Sequence, residues 1–292
     1  METNAPVIIK KEFPRTTVGG VSLPRILIGT NWLVGYSHTS AAADRQIREK
    51  FNAPEKYLPV FRKYLEYGID AIMGSLSTNQ ATIDAIKYAE DKLGKKIIMI
   101  DTPGLNVDDT PQARREAEAM IKHSAEVGCT FCMVHHASME QLVNKNKKTI
   151  DRLPDYLYMK RQYGLIPGVS AHMPEGIIYC DHNDYDVETY IQIFNCMGFL
   201  MQVEIEQVAG IITRAKHPVM TIKPFAAGRT TPFVGLNFSW NVIRDCDMIT
   251  IGVNSEYEAE EDIEISFAAI ERRRPNLEGR SSPVMNQDVL KK

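Results

Sequence analysis

The sequence lacks the features of membrane, secreted and nucleic-acid-binding proteins. Its net charge is only −3, so no strong positive field points to nucleic acid or to an acidic membrane surface. No apolar run approaches the roughly 20 residues that a membrane-spanning helix needs. The amino-terminal stretch METNAPVIIKKEF has neither the basic segment nor the long apolar core of a secretory signal. We therefore expect a cytoplasmic protein with no nucleic-acid or membrane partner.

Cysteine is scarce as well. Five cysteines are scattered along 292 residues, and an odd number without a secretory signal favours reduced thiols. Cys129 and Cys132 form a CxxC pair, but they lie within a predicted strand, where residues three apart point to opposite faces. A zinc knuckle needs both sulfurs together on a turn. We expect no metal or redox site at this pair.

An alternation of apolar strand-like segments with helical patterns runs along the chain, in an ordinary globular composition of 44% apolar and 24% charged residues. Most of the segments are followed by an amphipathic stretch, such as the one that Thr110 and Pro111 begin as cap and first helical residue. After the fourth segment we expect a helix around 138–163. The eight strand-like segments are RILIGTNWL, IDAIMGS, KIIMIDTPG, CTFCMVHH, LIPGVSAH, VETYIQIFN, PVMTIKPF and DMITIGVNS.

Eight such units in about 250 residues predict an α/β fold, a single (β/α)8 TIM barrel. A doubly wound open sheet is the alternative. Two short runs around the glycines at 19 and 20 predict a β-hairpin that plugs the bottom of the barrel. The expected division is an amino-terminal segment with this hairpin (1–24), the barrel (25–275) and a polar tail (276–292).

Catalytic groups of such barrels lie at the carboxyl ends of the strands. We identify Lys223, His135 and Asp101 there as catalytic candidates. The Lys223 amine would polarise a carbonyl group or form an imine with it, and His135 would act as a general acid or base. Asp101 would orient the histidine or accept a proton. His135 and His136 are adjacent on a predicted strand, so we expect at most one to face the barrel axis, and we favour His135.

The same strand ends supply candidate binding groups for a small-molecule substrate, and they leave the oligomeric state open. An anionic part of a ligand or cofactor would lie on the loops after the last two strands, at Gly228, Gly252, Asn254 and Ser255. A divalent metal is a variant of this hypothesis, with Asp101, His135 and His172 as ligands. The substrate-binding candidates are Asn31, His136, His172, Asn195 and Arg229.

The order of several motifs resembles that of the aldo/keto reductases over roughly residues 13–272. The motifs are RTTVGGVSLPRILIGTNWL, LEYGID, FCMVHH, GVSAHMPE, IQIFN, IKPFAAGR and MITIGVNSEYEAEEDI. The resemblance implies a (β/α)8 barrel closed at the bottom by a hairpin. It also implies a reductase site, in which an Asp, Tyr, Lys and His tetrad acts and the tyrosine protonates the carbonyl.

The residues at the family's catalytic positions depart from this tetrad. Met73 stands where the aspartate is expected, no tyrosine follows it, and the third strand ends in Asp101 instead of a lysine. Only His135 matches. Ile222 replaces the aromatic residue that stacks on nicotinamide, and the helix that often binds the NADP 2′-phosphate is acidic, in SEYEAEEDIE. The chain resembles a reductase scaffold whose reductive groups have been replaced.

Three functions remain open at this stage. The first is a non-reductive enzyme of lyase, aldolase or isomerase type that acts on a small polar carbonyl- or sugar-like metabolite, with or without a metal. The second is an NAD(P)-dependent oxidoreductase with an altered tetrad, which the acidic final helix disfavours. The third is a non-catalytic barrel that binds a small molecule. The number of polar strand ends favours an enzyme.

Overall fold

The protein forms a closed barrel of eight parallel strands, in a computed structural model that describes residues 6–277. In chain order the strands are β1 (Arg15–Val18), β2 (Val21–Pro24), β3 (Ile26–Gly29), β4 (Ala71–Gly74), β5 (Ile98–Asp101), β6 (Phe131–Val134), β7 (Val143–Asn144), β8 (Thr149–Ile150), β9 (Ile166–Ala171), β10 (Thr189–Ile193), β11 (Val219–Ile222) and β12 (Met248–Ile251). The barrel order is β3-β4-β5-β6-β9-β10-β11-β12, with β12 pairing again with β3. This confirms the predicted (β/α)8 fold.

The predicted hairpin is present and is formed by β1 and β2. Gly19 and Gly20 connect these strands, and both have the positive φ, 54° and 80°, that a two-residue type I′ turn needs. Val18 and Leu23 are buried and join the apolar cluster inside the barrel. The hairpin therefore covers the bottom of the barrel. The expected tail at 276–292 lies almost wholly outside the described residues.

Helices cover the outside of the barrel. Thr110 caps its helix by accepting a hydrogen bond from the Ala113 amide, and Pro111 is the first helical residue, as predicted. In residues 6–277 the α-helices are α1 (Asn31–Val34), α2 (Ala41–Lys50), α3 (Leu58–Leu65), α4 (Gln80–Leu93), α5 (Pro111–Glu126), α6 (His136–Met139), α7 (Leu153–Gln162), α8 (Glu175–His182), α9 (Ile205–Arg214), α10 (Pro232–Val242) and α11 (Glu256–Ile270).

The single helix expected around 138–163 is wrong. The chain instead forms α6, a 3-10 turn at Glu140–Leu142, the small antiparallel pair β7–β8 and then α7. Polar residues in the loop hold this pair, since the Asp151 carboxylate accepts from Asn144 and Thr149. The interruption makes α6 short and leaves its residues at the barrel mouth.

Two apolar layers follow from the alternation of side chains along the strands. Leu27 points into the barrel, where it packs with residues such as Phe131 and Met220, while Ile26 and Ile28 point out towards the helices. The hairpin closes the inner layer at the bottom, through Val18 and Leu23. The carboxyl ends of the strands therefore remain as the open end of the barrel.

No helix among residues 6–277 is long and apolar enough to cross a membrane. All five cysteines are free, and three of them, Cys129, Cys132 and Cys180, are buried.

Candidate active site

A cavity of about 620 Å³ opens at the carboxyl ends of the strands. Its wall combines apolar groups, among them Met73, Ile191 and Ile222, with polar groups from several strand ends. A mostly apolar pocket with a few convergent polar groups is the usual form of a small-molecule site. The polar and titratable residues that line it are Thr30, Asn31, Tyr36, Ser37, His38, Ser75, Thr102, His135, His136, Ser170, His172, Lys223, Thr230, Thr250, Glu258, Glu261 and Asp262.

Lys223 follows β11 directly and lines this cavity, as the sequence predicts. Burial lowers the pKa of its amine below the usual value of 10.5, and no carboxylate offsets this effect. The amine makes no hydrogen bond or ion pair within residues 6–277. Compared with an exposed lysine, Lys223 therefore loses its proton more easily, at the place where a substrate would enter.

The turn after Lys223 has an unusual backbone. Lys223, Ala226 and Ala227 have φ values of 61°, 49° and 54°, and Gly228 follows at 80°. Residues with a Cβ rarely adopt this left-handed region, so the turn is strained. Hydrogen bonds from the Ala226 amide to the Lys223 carbonyl (2.9 Å) and from the Gly228 amide to the Phe225 carbonyl (2.9 Å) stabilise it. The fold therefore constrains the backbone from which Lys223 reaches the cavity.

Four histidines line the cavity. The ring centroids of His135 and His136 are 4.2 Å apart, and His136 stacks on His172 at 4.1 Å with an interplanar angle of 24°. The His38 Nε2 lies 3.3 Å from the Asn31 side-chain nitrogen, which places Asn31 in the same site. Three loops, those after β3, β6 and β9, supply this group.

The histidines are uncharged at neutral pH. Burial, then His136, then Lys223 lowers the pKa of His135 to about 4, and burial with the same neighbours lowers that of His172 to about 3. Burial and then Lys223 also lower the pKa values of His38 and His136. Lys223 is therefore close enough to act on all four rings, which makes them and the amine one site.

The expectation that only one of His135 and His136 faces the cavity is wrong. It assumed that both lie on a strand, but β6 ends at Val134. His135 caps α6, with its Nδ1 accepting from the Ala137 amide at 3.3 Å, and His136 is the first helical residue. The change of backbone direction lets both rings line the cavity.

Asp101 does not lie where the catalytic hypothesis needs it. It is fully buried at the end of β5 and is absent from the cavity wall. One carboxylate oxygen accepts from the amides of Leu76 (2.8 Å) and Ser77 (3.2 Å), and the other accepts from the Ser124 hydroxyl (2.6 Å). These contacts join the loop after β4 to α5. Asp101 therefore neither orients His135 nor reaches a substrate.

Asn195 and Arg229 also serve the scaffold. Asn195 is fully buried, and its side chain bonds the backbone of Met197 and Phe199. Arg229 is exposed, with its guanidinium 4.0 Å from the centre of the Phe199 ring and a hydrogen bond to the Ala226 carbonyl. Both residues hold loops of the rim, and neither lines the cavity.

The expected anion site after β11 and β12 is not assembled. Gly228 and Gly252 line the cavity, but Asn254 and Ser255 do not. The Glu258 carboxylate already accepts from the Asn254 amide at 2.8 Å, while Ser255 accepts from the Glu258 amide at 3.2 Å. The Asn254 amide and the Glu258 amide in the first turn of α11 are thus already bonded. Glu258 and Glu261 give this wall acidic groups, which disfavour a phosphate.

The predicted metal set of Asp101, His135 and His172 is not brought together either. Among the described residues, one other group has suitable ligand atoms close together: His136, Glu140 and His172. Glu140 was not predicted, although it lies four residues after His136, a spacing that places two side chains on one helical face. His38 was not predicted either, and its only signal is its place in a loop nine residues after β3 ends at Gly29.

Comparisons with known proteins agree with this fold. No protein-family model matches the chain, and neither does any curated protein. Two solved structures of a provisionally assigned aldo-keto reductase from Pseudomonas aeruginosa are 11% identical, with TM-scores of 0.61 and 0.60. They cover 90% and 91% of this chain and 98% and 97% of their own. The chain has the barrel fold of these proteins. An aldose reductase from Giardia lamblia is 12% identical, with a TM-score of 0.50 over 92% of this chain and 91% of its own.

The similarity is therefore one of architecture, and it confirms the resemblance at that level. The neighbours are enzymes by name, but at this identity the match carries no residue roles to this chain. In place of the family's tetrad, the mouth of this barrel holds Lys223 and four histidines. The chemistry has to be argued from these groups.

Proposed function

We propose that this barrel is an enzyme that forms an imine between Lys223 and a small carbonyl metabolite, such as a keto acid or a sugar derivative, in a reaction of lyase, aldolase or isomerase type. The observation that carries the proposal is the enclosed amine of Lys223. Its pKa is lowered by burial, and no carboxylate holds it in the charged form. A lysine desolvated in this way is an activated nucleophile towards carbonyl carbon.

The reaction balances with groups that the cavity can hold. The uncharged Lys223 amine attacks the carbonyl carbon and forms a carbinolamine, which takes up a proton and loses water to give a protonated imine. The positive nitrogen then accepts the electron pair of a C–H or C–C bond at the neighbouring carbon. The hydrogen leaves as a proton, or the cleaved carbon, which bears a hydroxyl group, loses that group's proton and leaves as an aldehyde or ketone; an enamine remains. Reprotonation of the enamine carbon and addition of water to the imine release product and regenerate the amine.

His135 suits the role of hydrogen-bond donor in this scheme. Its Nδ1 accepts from the Ala137 amide, so the proton of the neutral ring lies on Nε2. A neutral imidazole that donates to a carbonyl oxygen polarises the carbonyl without needing to be charged. The low pKa of His135, about 4, agrees with a neutral donor. This refines the general acid/base role that the sequence suggests.

The rest of the wall favours a small, hydroxylated substrate. Asn31, Thr30, Ser170 and Thr102 line the cavity and offer amide and hydroxyl groups. Such groups bond the hydroxyl and carbonyl oxygens of sugars and keto acids. The cavity volume, about 620 Å³, is in the range of small-molecule sites.

The geometry supports a nicotinamide-dependent reaction less well. The fold similarity favours it, but the helix expected to bind a 2′-phosphate presents Glu258 and Glu261 to the cavity. The Asn254 amide, which could face an anion, bonds the Glu258 carboxylate. A nucleotide phosphate at this wall would meet like charge.

Reductive trapping tests the proposal directly. The purified protein is incubated with pyruvate or glycolaldehyde and sodium cyanoborohydride, which reduces an imine to a stable secondary amine. Peptide mass spectrometry then locates the adduct. We expect one dominant adduct, on Lys223, because exposed lysines are mostly charged at neutral pH.

Two variants make the result specific. Lys223→Met should lose the dominant adduct, whereas Lys216→Met, at an exposed lysine that pairs with Asp184, should keep it. Adducts spread over surface lysines, with none enriched at Lys223, would refute the imine mechanism. Loss of the adduct in both variants would also refute it, since Lys216 has no place in the cavity.

A further inference from the structure

The group formed by His136, Glu140 and His172 has no part in the imine chemistry. Its candidate ligand atoms, one from each side chain, all lie within 4.8 Å of one another. The two imidazoles are stacked with their centroids 4.1 Å apart. All three residues are half-buried, and the two histidines line the cavity.

The fold builds this group from two neighbouring strands. β6 leads into α6, where His136 lies one turn before Glu140, and β9 ends just before His172. Glu140 Oε1 accepts from the backbone amides of His172 (2.6 Å) and Met173 (3.1 Å). The carboxylate thereby fixes the loop after β9 against α6. Its second oxygen, Oε2, has no hydrogen-bond partner in the described part of the chain.

We propose that His136, Glu140 and His172 bind a divalent first-row transition-metal ion, with open coordination positions towards the cavity. Two imidazoles and one carboxylate are a ligand set that suits Zn²⁺, Co²⁺ and Fe²⁺, and three protein ligands leave room for water or substrate. The set replaces the one expected from the sequence, because Asp101 is bound elsewhere and His135 caps α6 with one nitrogen.

Metal binding would tighten the group and turn the rings. Ligand bonds of about 2.0–2.2 Å place tetrahedral ligand atoms about 3.3–3.6 Å apart, so ligand atoms that lie up to 4.8 Å apart have to approach by up to about 1.5 Å. The two rings, stacked at 24°, must also open so that their nitrogens converge on one point. Rotations about the side-chain bonds of the two histidines can bring the ligand atoms closer and turn the rings. The backbone need not move, because Glu140 already holds the loop after β9 next to α6.

A metal at this place would bind an oxygen of the substrate next to Lys223. An ion with open positions polarises carbonyl oxygens and holds carboxylates. The two proposals rest on different groups, since the imine needs the Lys223 amine and the metal needs His136, Glu140 and His172. Either can therefore fail alone, because trapping and Co²⁺ binding are measured separately.

Cobalt binding by the full chain is the test. The protein is stripped with a chelator, dialysed against Co²⁺ and assayed for bound metal and for the visible absorption of the ion. We expect one Co²⁺ per chain. Glu140→Gln and His172→Gln should each weaken binding by about 100-fold or more, since loss of an outer-shell partner alone weakens it 10–100-fold.

His38→Gln is the matched control, because it removes a cavity histidine outside the set. It should bind Co²⁺ like the wild type, whereas Lys223→Met, which removes an amine that acts on the rings of His136 and His172, should bind Co²⁺ at least as tightly. Melting temperatures show whether Glu140→Gln, which keeps an acceptor for the His172 amide, still folds; if it does not, His136→Asn replaces it. Absence of Co²⁺ binding, or equal binding by wild type and His172→Gln, would overturn the proposal.

Discussion

Two lysines of this barrel have a pKa that burial lowers, but they differ in what they can do. Burial lowers the pKa of Lys160 to about 8, and it lowers that of Lys223 as well. Lys160 lies on α7 at the back of the barrel wall, is fully buried and donates to the Gly168 carbonyl at 3.2 Å. Lys223 lines the open cavity.

The difference lies in access and in neighbours. Cys132, Asp101 and Cys180 surround Lys160 and partly offset the effect of burial on its pKa, whereas no such group faces Lys223. Lys160 is part of a closed polar cluster in the outer layer. A lowered lysine pKa therefore marks a functional site only when a substrate can reach the amine.

The largest effect on imine trapping should come from replacing Lys223, and replacement of Lys160 is the control. Lys223→Arg keeps a charge but cannot form an imine, since arginine stays protonated, so trapping with pyruvate should fall by about 100-fold or more. Lys160→Met should leave trapping at Lys223 unchanged. Peptide mass spectrometry measures both. If Lys160→Met abolished trapping in a folded protein, the comparison would be wrong.

The free energy of unfolding should depend on pH through the buried amine of Lys160. Its pKa of about 8 in the folded chain lies below 10.5, so the unfolded chain binds more protons between these values. The wild type should thus gain about 3 kcal/mol of unfolding free energy relative to Lys160→Met as pH rises from 8 to 10.5. Urea unfolding of both proteins at several pH values measures this. A difference that does not change with pH would contradict it.

Asp101 provides a weaker test of the same closed cluster. Asp101→Asn should destabilise the protein by about 2 kcal/mol, because the amide cannot accept all the hydrogen bonds that the carboxylate accepts. Trapping at Lys223 should persist, since Asp101 does not line the cavity. Normal stability combined with lost trapping would return Asp101 to the active site.

The smallest effect is expected from nicotinamide nucleotides. Millimolar NADPH or NADH should leave the rate of trapping at Lys223 unchanged, because the acidic wall at Glu258 and Glu261 disfavours the phosphates. Nucleotide fluorescence should show no saturable binding. If the nucleotide instead slowed trapping at Lys223 in a saturable manner, the reductase cofactor site would have survived the loss of the tetrad.

Most of the barrel could be predicted because each strand carries its own signal. The branched apolar runs that end at Gly29, Val134 and Ile222 are strands in the structure, and Thr110 caps the helix that it was expected to cap. The segment between β6 and α7 could not be predicted. Its helical pattern competes with local hydrogen bonds around Asp151, and the latter win.

The site was predictable only where the backbone direction was obvious. Lys223 follows a clear strand and lines the cavity. Asp101 also ends a clear strand, yet its carboxylate accepts hydrogen bonds from the amides of the loop after β4. No sequence pattern indicates that direction. Glu140 and His38 reach the site through turns.

By itself, the sequence determined an eight-stranded barrel with a hairpin at the bottom and a row of polar residues at the strand ends, because periodicity, caps and turn glycines are local properties of the chain. Only the tertiary structure decided which of these residues share a cavity. It placed Lys223 with four histidines, and it enclosed Asp101 and Lys160 behind the wall. The physical reason is that the direction and burial of a side chain depend on how the strands pair to close the barrel. Burial and neighbouring charges then set the pKa of each titratable group.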